Sequence, residues 1–332
     1  MNAPPSPAGV DVLVARFLAF GDVLLTLPLV ETLSANPAVR AVDVVTQRSY
    51  ADLLRRSPYV RRVYAIDPAD GSGADGISDV KYDVLLDLHT RAAPLPQPIE
   101  DLLGRIQART TAAFADPWAE EGDGRLPTRA YDEHAVEYYA RAAGSLIATP
   151  LGSGVIDIAA DDLAAAVRRL PSGTVCFAPG ARYRFKRWPA ERYAALATLL
   201  AEAGVPAVLV GHSFDVPYLD AVSDLVRTPT IVIDDDYDLA AVLAASGILV
   251  ANNSGMAHLG QIAGARVVCV HSHTLPAMWR PWGEGHENVT GVEGPCPCPD
   301  LTQFERIAPC GLDIDPGTVA DAVHRVREAS RE

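Results

Sequence analysis

The sequence is short of positive charge, of cysteine and of long apolar runs, and each shortage narrows what the protein does. Its 332 residues carry 28 lysines and arginines against 42 aspartates and glutamates, a formal net charge of −14. Nucleic acid is a polyanion bound through clustered cations, so it is not the expected partner. The same balance disfavours unaided adsorption to an anionic membrane. No stretch approaches the roughly 20 apolar residues that a spanning helix needs. The opening "MNAPPSPAGV" has neither the basic start nor the apolar run of a secretion signal. Together these features predict a cytoplasmic protein with no transmembrane segment. The G-x-G-x-x-G pattern of dinucleotide folds follows none of the apolar runs, which leaves a nicotinamide enzyme without its motif. There are five cysteines. Cys176 in "TVCFAPG" and Cys269 in "RVVCVHSH" read as small core residues.

What is present is apolar and periodic. Hydrophobic residues make up 49% of the chain, enough for full burial, and its length suits two domains rather than one. The runs "VDVLVARF", "AVDVVTQ", "RRVYAID" and "YDVLLDLH" recur through the first half. "TVCFAPG", "PAVLVGH", "TIVID", "GILVANN" and "RVVCVHS" follow in the second. Near-continuous apolar strands separated by helical patterns predict parallel sheets covered on both faces. The fold class is therefore α/β, with two Rossmann-like, doubly wound domains and ligands at the carboxyl ends of their strands. The boundary is expected between Ala160 and Pro171, giving domains of 1–165 and 166–332, the last helix able to pack back on the first. Between them, Ala92 to Thr128 is rich in proline and small residues, and "YDEHAVEYYARAAGSL" reads as a helix.

Four segments carry chemistry. In "FGDVLLTLPLV", Asp22 follows Gly21 and precedes eight residues that are apolar except for Thr26. A carboxylate there needs a partner or a task, the simplest task being a helix N-cap. "APGARYRFKRWPAERY" places Arg182, Arg184, Lys186 and Arg187 between a strand ending at Gly180 and a helix near Pro189. Cations at a strand end can meet a diphosphate, or they can simply be solvated. "ANNSGMAHLG" opens a helix at Asn253, Ser254 and Gly255, continuing through Met256 to His258. Asn or Ser at that place caps the helix, and the same free amides attract an anion. "VGHSFDVPY" offers His212, Ser213 and Asp215 after a strand, a weaker signal for a ribose or base contact.

These segments, in this order, resemble the signature regions of glycosyltransferase family 9, which includes the ADP-heptose lipopolysaccharide heptosyltransferases. The resemblance runs from about Asp11 to Cys310. It implies a GT-B fold with a central cleft, and inverting, metal-independent transfer of a sugar from a nucleotide donor held by the C-terminal domain. No cofactor is required beyond that donor, which the resemblance makes ADP-linked and carrying a heptose. Asp22 matches the family's catalytic base, Lys186 its lysine on the donor diphosphate, and Asn253 through His258 its phosphate-cradling helix start. Gly21, Gly180, Arg182, His212 and Asp215 complete the donor-side set. Asn253 stands where heptosyltransferases usually carry Asp, so any role needing a carboxylate there is in doubt.

The acceptor side is less legible. Arg55, Arg91 and Arg105 are candidates for an anionic acceptor such as the lipopolysaccharide core, reached by peripheral membrane contact. The net charge of −14 equally suits a soluble or secondary-metabolite glycan. "GPCPCPDLTQFERIAPCGL" gathers Cys296, Cys298 and Cys310. Free thiols are expected first, then a structural zinc or iron with His286 as fourth ligand, then a disulfide. Two other readings stay open: a sugar-nucleotide epimerase of GT-B fold, and a non-catalytic nucleotide-sugar-binding protein.

Overall fold

The computed structural model describes residues 9–89, 95–114, 132–147, 150–272, 274–291 and 314–330. The chain forms two compact units, Met1–Gly154 and Val155–Glu332. The division falls earlier than the expected 165/166. The reason is local: helix α6 (Ala160–Val167) packs on α9 (Asp236–Ser246) of the second unit. The segment before it is tied to the same unit by Ile156 N–H donating to the Ile262 carbonyl.

The first unit is a five-stranded parallel sheet in the order β3-β2-β1-β4-β5. Its strands are β1 (Val10–Ala15), β2 (Val39–Gln47), β3 (Arg62–Ile66), β4 (Lys81–Asp87) and β5 (Gln107–Ala113). The described helices between and after them are α1 (Phe20–Leu24), α2 (Leu27–Ala35), α3 (Arg48–Leu54), α4 (Gln97–Arg105) and α5 (Ala135–Ala143). β1 is buried along almost its whole length, as expected of a central strand covered on both faces. Helix α5 lies within the expected "YDEHAVEYYARAAGSL" and is capped at His134. His134 Nδ1 accepts from Val136 N–H, and the Glu137 carboxylate accepts from His134 N–H, a reciprocal cap.

The second unit is a six-stranded parallel sheet in the order β11-β10-β9-β6-β7-β8. The strands are β6 (Val175–Ala178), β7 (Ala207–Gly211), β8 (Thr230–Val232), β9 (Ile248–Asn252), β10 (Arg266–His271) and β11 (Glu287–Thr290). Helices α7 (Ala190–Glu202), α8 (Val216–Val226), α10 (Gly255–Ile262) and α11 (Pro276–Trp279) follow strands of this sheet. The final helix α12 (Pro316–Ala329) packs on α7, β10 and β11 of its own unit. Val319, Val323 and Val326 enter that unit's core beside Phe177 and Leu196. The strand order reverses between β6 and β9, so their carboxyl ends form the unit's topological switch point.

Candidate active site

In the first unit, the loop leaving β1 carries Arg16 to Ala19 into the five-residue helix α1. Asp22 is the third residue of that helix rather than its N-cap. Its Oδ2 accepts the Ala19 N–H at 3.2 Å, the return half of a capping box. Its Oδ1 accepts from two other donors, Arg16 Nη2 at 3.0 Å and the Tyr139 hydroxyl at 2.9 Å. Arg16 is buried, and its Nη1 donates to the Leu88 carbonyl at 2.6 Å. Burial opposes its charge, but Tyr139, Asp22 and neighbouring groups raise its pKa above the ordinary value. The same loop is held from its other side. Phe17 N–H donates to His89 Nε2 at 3.1 Å, so the ring proton sits on Nδ1, which donates to Asp87 Oδ1 at 2.6 Å. The His89 ring also stacks on Phe17 at 5.2 Å. The ends of β1 and β4 are thus locked around a carboxylate whose side chain is 16% exposed.

In the second unit, Asn252 ends β9 and fixes the cationic loop. Its Oδ1 accepts from Trp188 N–H at 2.9 Å and from the Tyr193 hydroxyl at 3.2 Å. Its Nδ2 donates to the Pro179 carbonyl at 2.8 Å. Ser272 at the end of β10 adds a bond from Oγ to the Phe185 carbonyl at 2.9 Å. Of the four cations, Arg182 and Arg184 are exposed. Arg187 donates to the Ala181 carbonyl and lies 3.7 Å over the Tyr218 ring of α8. Lys186 is half-buried. Its charge reaches Cys269 and His271 of β10, countering the burial-driven rise of the first pKa and adding to the burial-driven fall of the second.

His271 is held neutral, its pKa pushed down to about 4 mainly by burial. Asn253 Nδ2 donates to His271 Nδ1 at 3.0 Å and also to Thr274 Oγ1, and His271 Nε2 donates to Asn288 Oδ1 at 3.0 Å. An amide suits this chain where a carboxylate could not donate to either partner. Beside it, Ser254 is the N-cap of α10 yet makes no side-chain capping bond. Its Oγ is buried without a hydrogen-bond partner, an arrangement that costs free energy unless something fills it. Gly255 begins the helix, and Met256 and His258 are buried in its first turns.

Just beyond the ends of β6 and β7, Gly180 and Asp215 fit each other: a Cβ at 180 would lie 2.1 Å from Asp215 Oδ1. Glycine is required there by the close approach. His212 is buried between Asp236 Oδ1, 2.8 Å from Nε2, and Asp215 Oδ2, 3.7 Å from Nδ1. Burial lowers its pKa, but its bonds to Asp215 and Asp236 win and raise it to about 9. The folded-state value lies above the ordinary 6.5, so the charge stabilises the fold fully below pH 6.5 and the contribution fades as pH rises through 9. A melting-temperature series is therefore expected to separate wild type from His212→Gln most at pH 6, with the gap closing by about pH 10. A gap that widens with pH contradicts this assignment.

Of the acceptor-side arginines, Arg55 pairs with Asp52 on the surface and Arg105 is exposed in the last turn of α4, a favourable place for a cation. Neither is a partner of Asp22. Arg91 lies outside the described residues, as do Cys296, Cys298 and Cys310. His286 does not fit the role of a fourth ligand: Nδ1 accepts from Val267 N–H at 3.0 Å and the ring also bonds the Trp282 backbone. Among the described residues no group of three His, Cys, Asp or Glu side chains could hold a metal ion. Among them, too, no helix is long and apolar enough to cross a membrane.

Known proteins share this plan. Lipopolysaccharide heptosyltransferase 3 of Escherichia coli strain K12 is 22% identical over 294 residues, covering 80% of this chain and 83% of that protein. The crystal structure of a family 9 glycosyltransferase from Veillonella parvula DSM 2008 matches with a TM-score of 0.78 at 19% identity, over 99% of this chain and 100% of that one. The ADP-heptose lps heptosyltransferase II of E. coli matches with a TM-score of 0.72 at 19% identity, over 97% of this chain and 100% of that one. The two parallel-sheet units are thus those of a GT-B fold. The model of glycosyltransferase family 9 (heptosyltransferase) matches residues 123–306, more than half of the sequence. On that match the chain belongs to glycosyltransferase family 9 and is a sugar-transferring enzyme.

Proposed function

We propose that the protein is an inverting, metal-independent transferase that moves a heptose from ADP-heptose to an acceptor hydroxyl. The acceptor is a lipopolysaccharide core or a soluble glycan, and the reaction takes place in the cytoplasm. The observation that carries this reading is the pairing at the end of the second sheet. A buried, unpartnered Ser254 Oγ and the start of α10 lie beside the strand end that the charge of Lys186 reaches. A hydroxyl, free helix amides and an ammonium together suit a diphosphate.

In this account the acceptor hydroxyl gives its proton to Asp22 as its oxygen bonds the anomeric carbon from the face opposite ADP. The bond from that carbon to the β-phosphate oxygen breaks, and its electron pair leaves with ADP. Fixed positive charge from Lys186 and the α10 amides stabilises the leaving group as it develops, the part a divalent ion plays elsewhere. In this reading His212 and Asp215 meet the nucleoside, and Gly21 belongs to the donor side.

The test is the anomeric configuration of the product by NMR, with EDTA present. Turnover with inversion supports the proposal; retention, or loss of activity in EDTA, refutes it. Lys186→Ala is expected to lower kcat and weaken ADP binding together, by about tenfold to a hundredfold, the scale of a charge-assisted contact. Unchanged ADP affinity in a calorimetric titration would remove Lys186 from the donor site.

A further inference from the structure

A helix start needs only one oxygen of an acid at its third position, and Asp22 Oδ2 already serves it through the Ala19 amide. The two donors on Oδ1 are more than capping requires. One is Arg16 Nη2, set by the bond from its Nη1 to the Leu88 carbonyl beyond β4. The other, the Tyr139 hydroxyl, comes from α5, 117 residues further along the chain. Tyr139 is itself fixed: it is buried, its ring lies 5.8 Å from Tyr138, and Tyr138 stacks on Phe114 at 3.8 Å. The Arg16 guanidinium carbon sits 5.5 Å from the Tyr139 ring, so the two donors also pack on each other.

An aspartate carboxylate rotates in a broad, roughly two-fold torsional well, which exchanges its oxygens. Two donors on one oxygen remove that freedom. We infer that Tyr139 is a positioning residue for the transfer step: with Arg16 it anchors Asp22 Oδ1 and leaves Oδ2 as the oxygen that receives the acceptor's proton. The inference rests on the reading of Asp22 as base. It assigns Tyr139 no contact with substrate. Its effect travels through Asp22, so it belongs in kcat and not in donor affinity.

The experiment is a double-mutant cycle of Tyr139→Phe and Asp22→Asn, with kcat, donor KM and melting temperature measured for each variant. Tyr139→Phe is expected to lower kcat by about tenfold, the scale of a modest misplacement of a catalytic group, with donor KM within about twofold of wild type. Added to Asp22→Asn, it is expected to cost nothing further. A Tyr139→Phe variant with full kcat, or one whose loss multiplies that of Asp22→Asn, overturns the positioning role. If Asp22→Asn itself keeps full turnover, the base reading fails and this inference with it. Should Tyr139→Phe not fold, Arg16→Lys serves instead. It keeps the charge but cannot bond Leu88 and Asp22 through one planar fork, so the same kcat loss is expected. Wild-type kcat in that variant counts against the anchor.

Discussion

Replacing Asp22 with asparagine is expected to lower turnover by about 10² to 10⁴, the usual contribution of a positioned general base. Folding and ADP binding should survive. Asparagine keeps the size of the side chain, and its Oδ1 can still accept from the Ala19 amide, so the α1 cap persists. An N-terminal acid cap is worth only about 1 kcal/mol, far less than the catalytic term. The readout is a collapse in kcat with ADP affinity unchanged, beside a melting temperature lowered by the loss of the buried Arg16 pair. The amide leaves one cost, because its NH2 donates and cannot face both Arg16 and the Tyr139 hydroxyl as an acceptor. That mismatch is local to the loop after β1. Near-normal turnover would show that Asp22 is a structural acid and nothing more.

The second large effect concerns stability and centres on the middle of β2. Asp43 on β2 has a fully buried side chain. It takes both Arg61 Nε and Nη2 at 2.8 Å in a two-pronged pair, and the Tyr82 hydroxyl at 2.7 Å. Arg61 also meets Asp11 at 3.4 Å, and Arg40 bonds the same carboxylate. Those bonds, led by Arg40, hold the Asp11 pKa below its ordinary value, and burial pushes the Tyr82 phenol up so that it remains a donor. Asp43→Ala takes the carboxylate from the buried Tyr82 hydroxyl and the Arg61 guanidinium, leaving them the longer contacts to the Tyr64 hydroxyl at 3.3 Å and to Asp11 at 3.4 Å. Breaking a buried ion pair costs about 3–5 kcal/mol, and the partial exposure of Arg61 argues for the lower end, about 3 kcal/mol. For a unit of this size that corresponds to roughly 6–12 °C in melting temperature. Activity measured well below the transition should change little, because the network joins the middle of β2 to the starts of β1, β3 and β4 and includes no partner of Asp22 given above. A melting temperature within about 1 °C of wild type contradicts this account.

How much of this could be read in advance depended on burial. Strands β1, β2, β4, β6, β7, β9 and β10 were legible because strands inside a parallel sheet must be apolar on both faces, and the edge strands β3 and β8 because "RRVYAID" and "TIVID" keep β-branched, apolar runs. β5, with the sequence "QARTTAA", and β11, "ENVT", were not. Each is a sheet edge with a largely exposed face, so sequence patterning had nothing to mark. Of the candidate residues, Asp22, Lys186 and the Asn253–Gly255 turn stood out because charge, amide and glycine interrupt apolar runs. Tyr139 and Asn252 did not. Tyr139 looks like one more apolar residue of an amphipathic helix, and its hydroxyl matters only because α5 packs beside the loop after β1. Asn252 reads as the end of a strand, and its clamp on Trp188 and Pro179 spans a long sequence separation. Arg16 and His89 were available as polar residues at the ends of apolar strands, but only the fold brings both to one loop. The division of the units falls ahead of the expected boundary for a similar reason. The helix Ala160–Val167 has no sequence mark of the partner it packs on.

The proposal that the second unit takes an ADP-linked donor without a metal is tested most directly by titration calorimetry. The purified protein would be titrated with ADP, UDP, GDP and NAD, each with and without EDTA. The account predicts binding of ADP in preference to the other three, unchanged by EDTA. Preferential binding of UDP or GDP, binding of NAD alone, or loss of ADP binding in EDTA would contradict it.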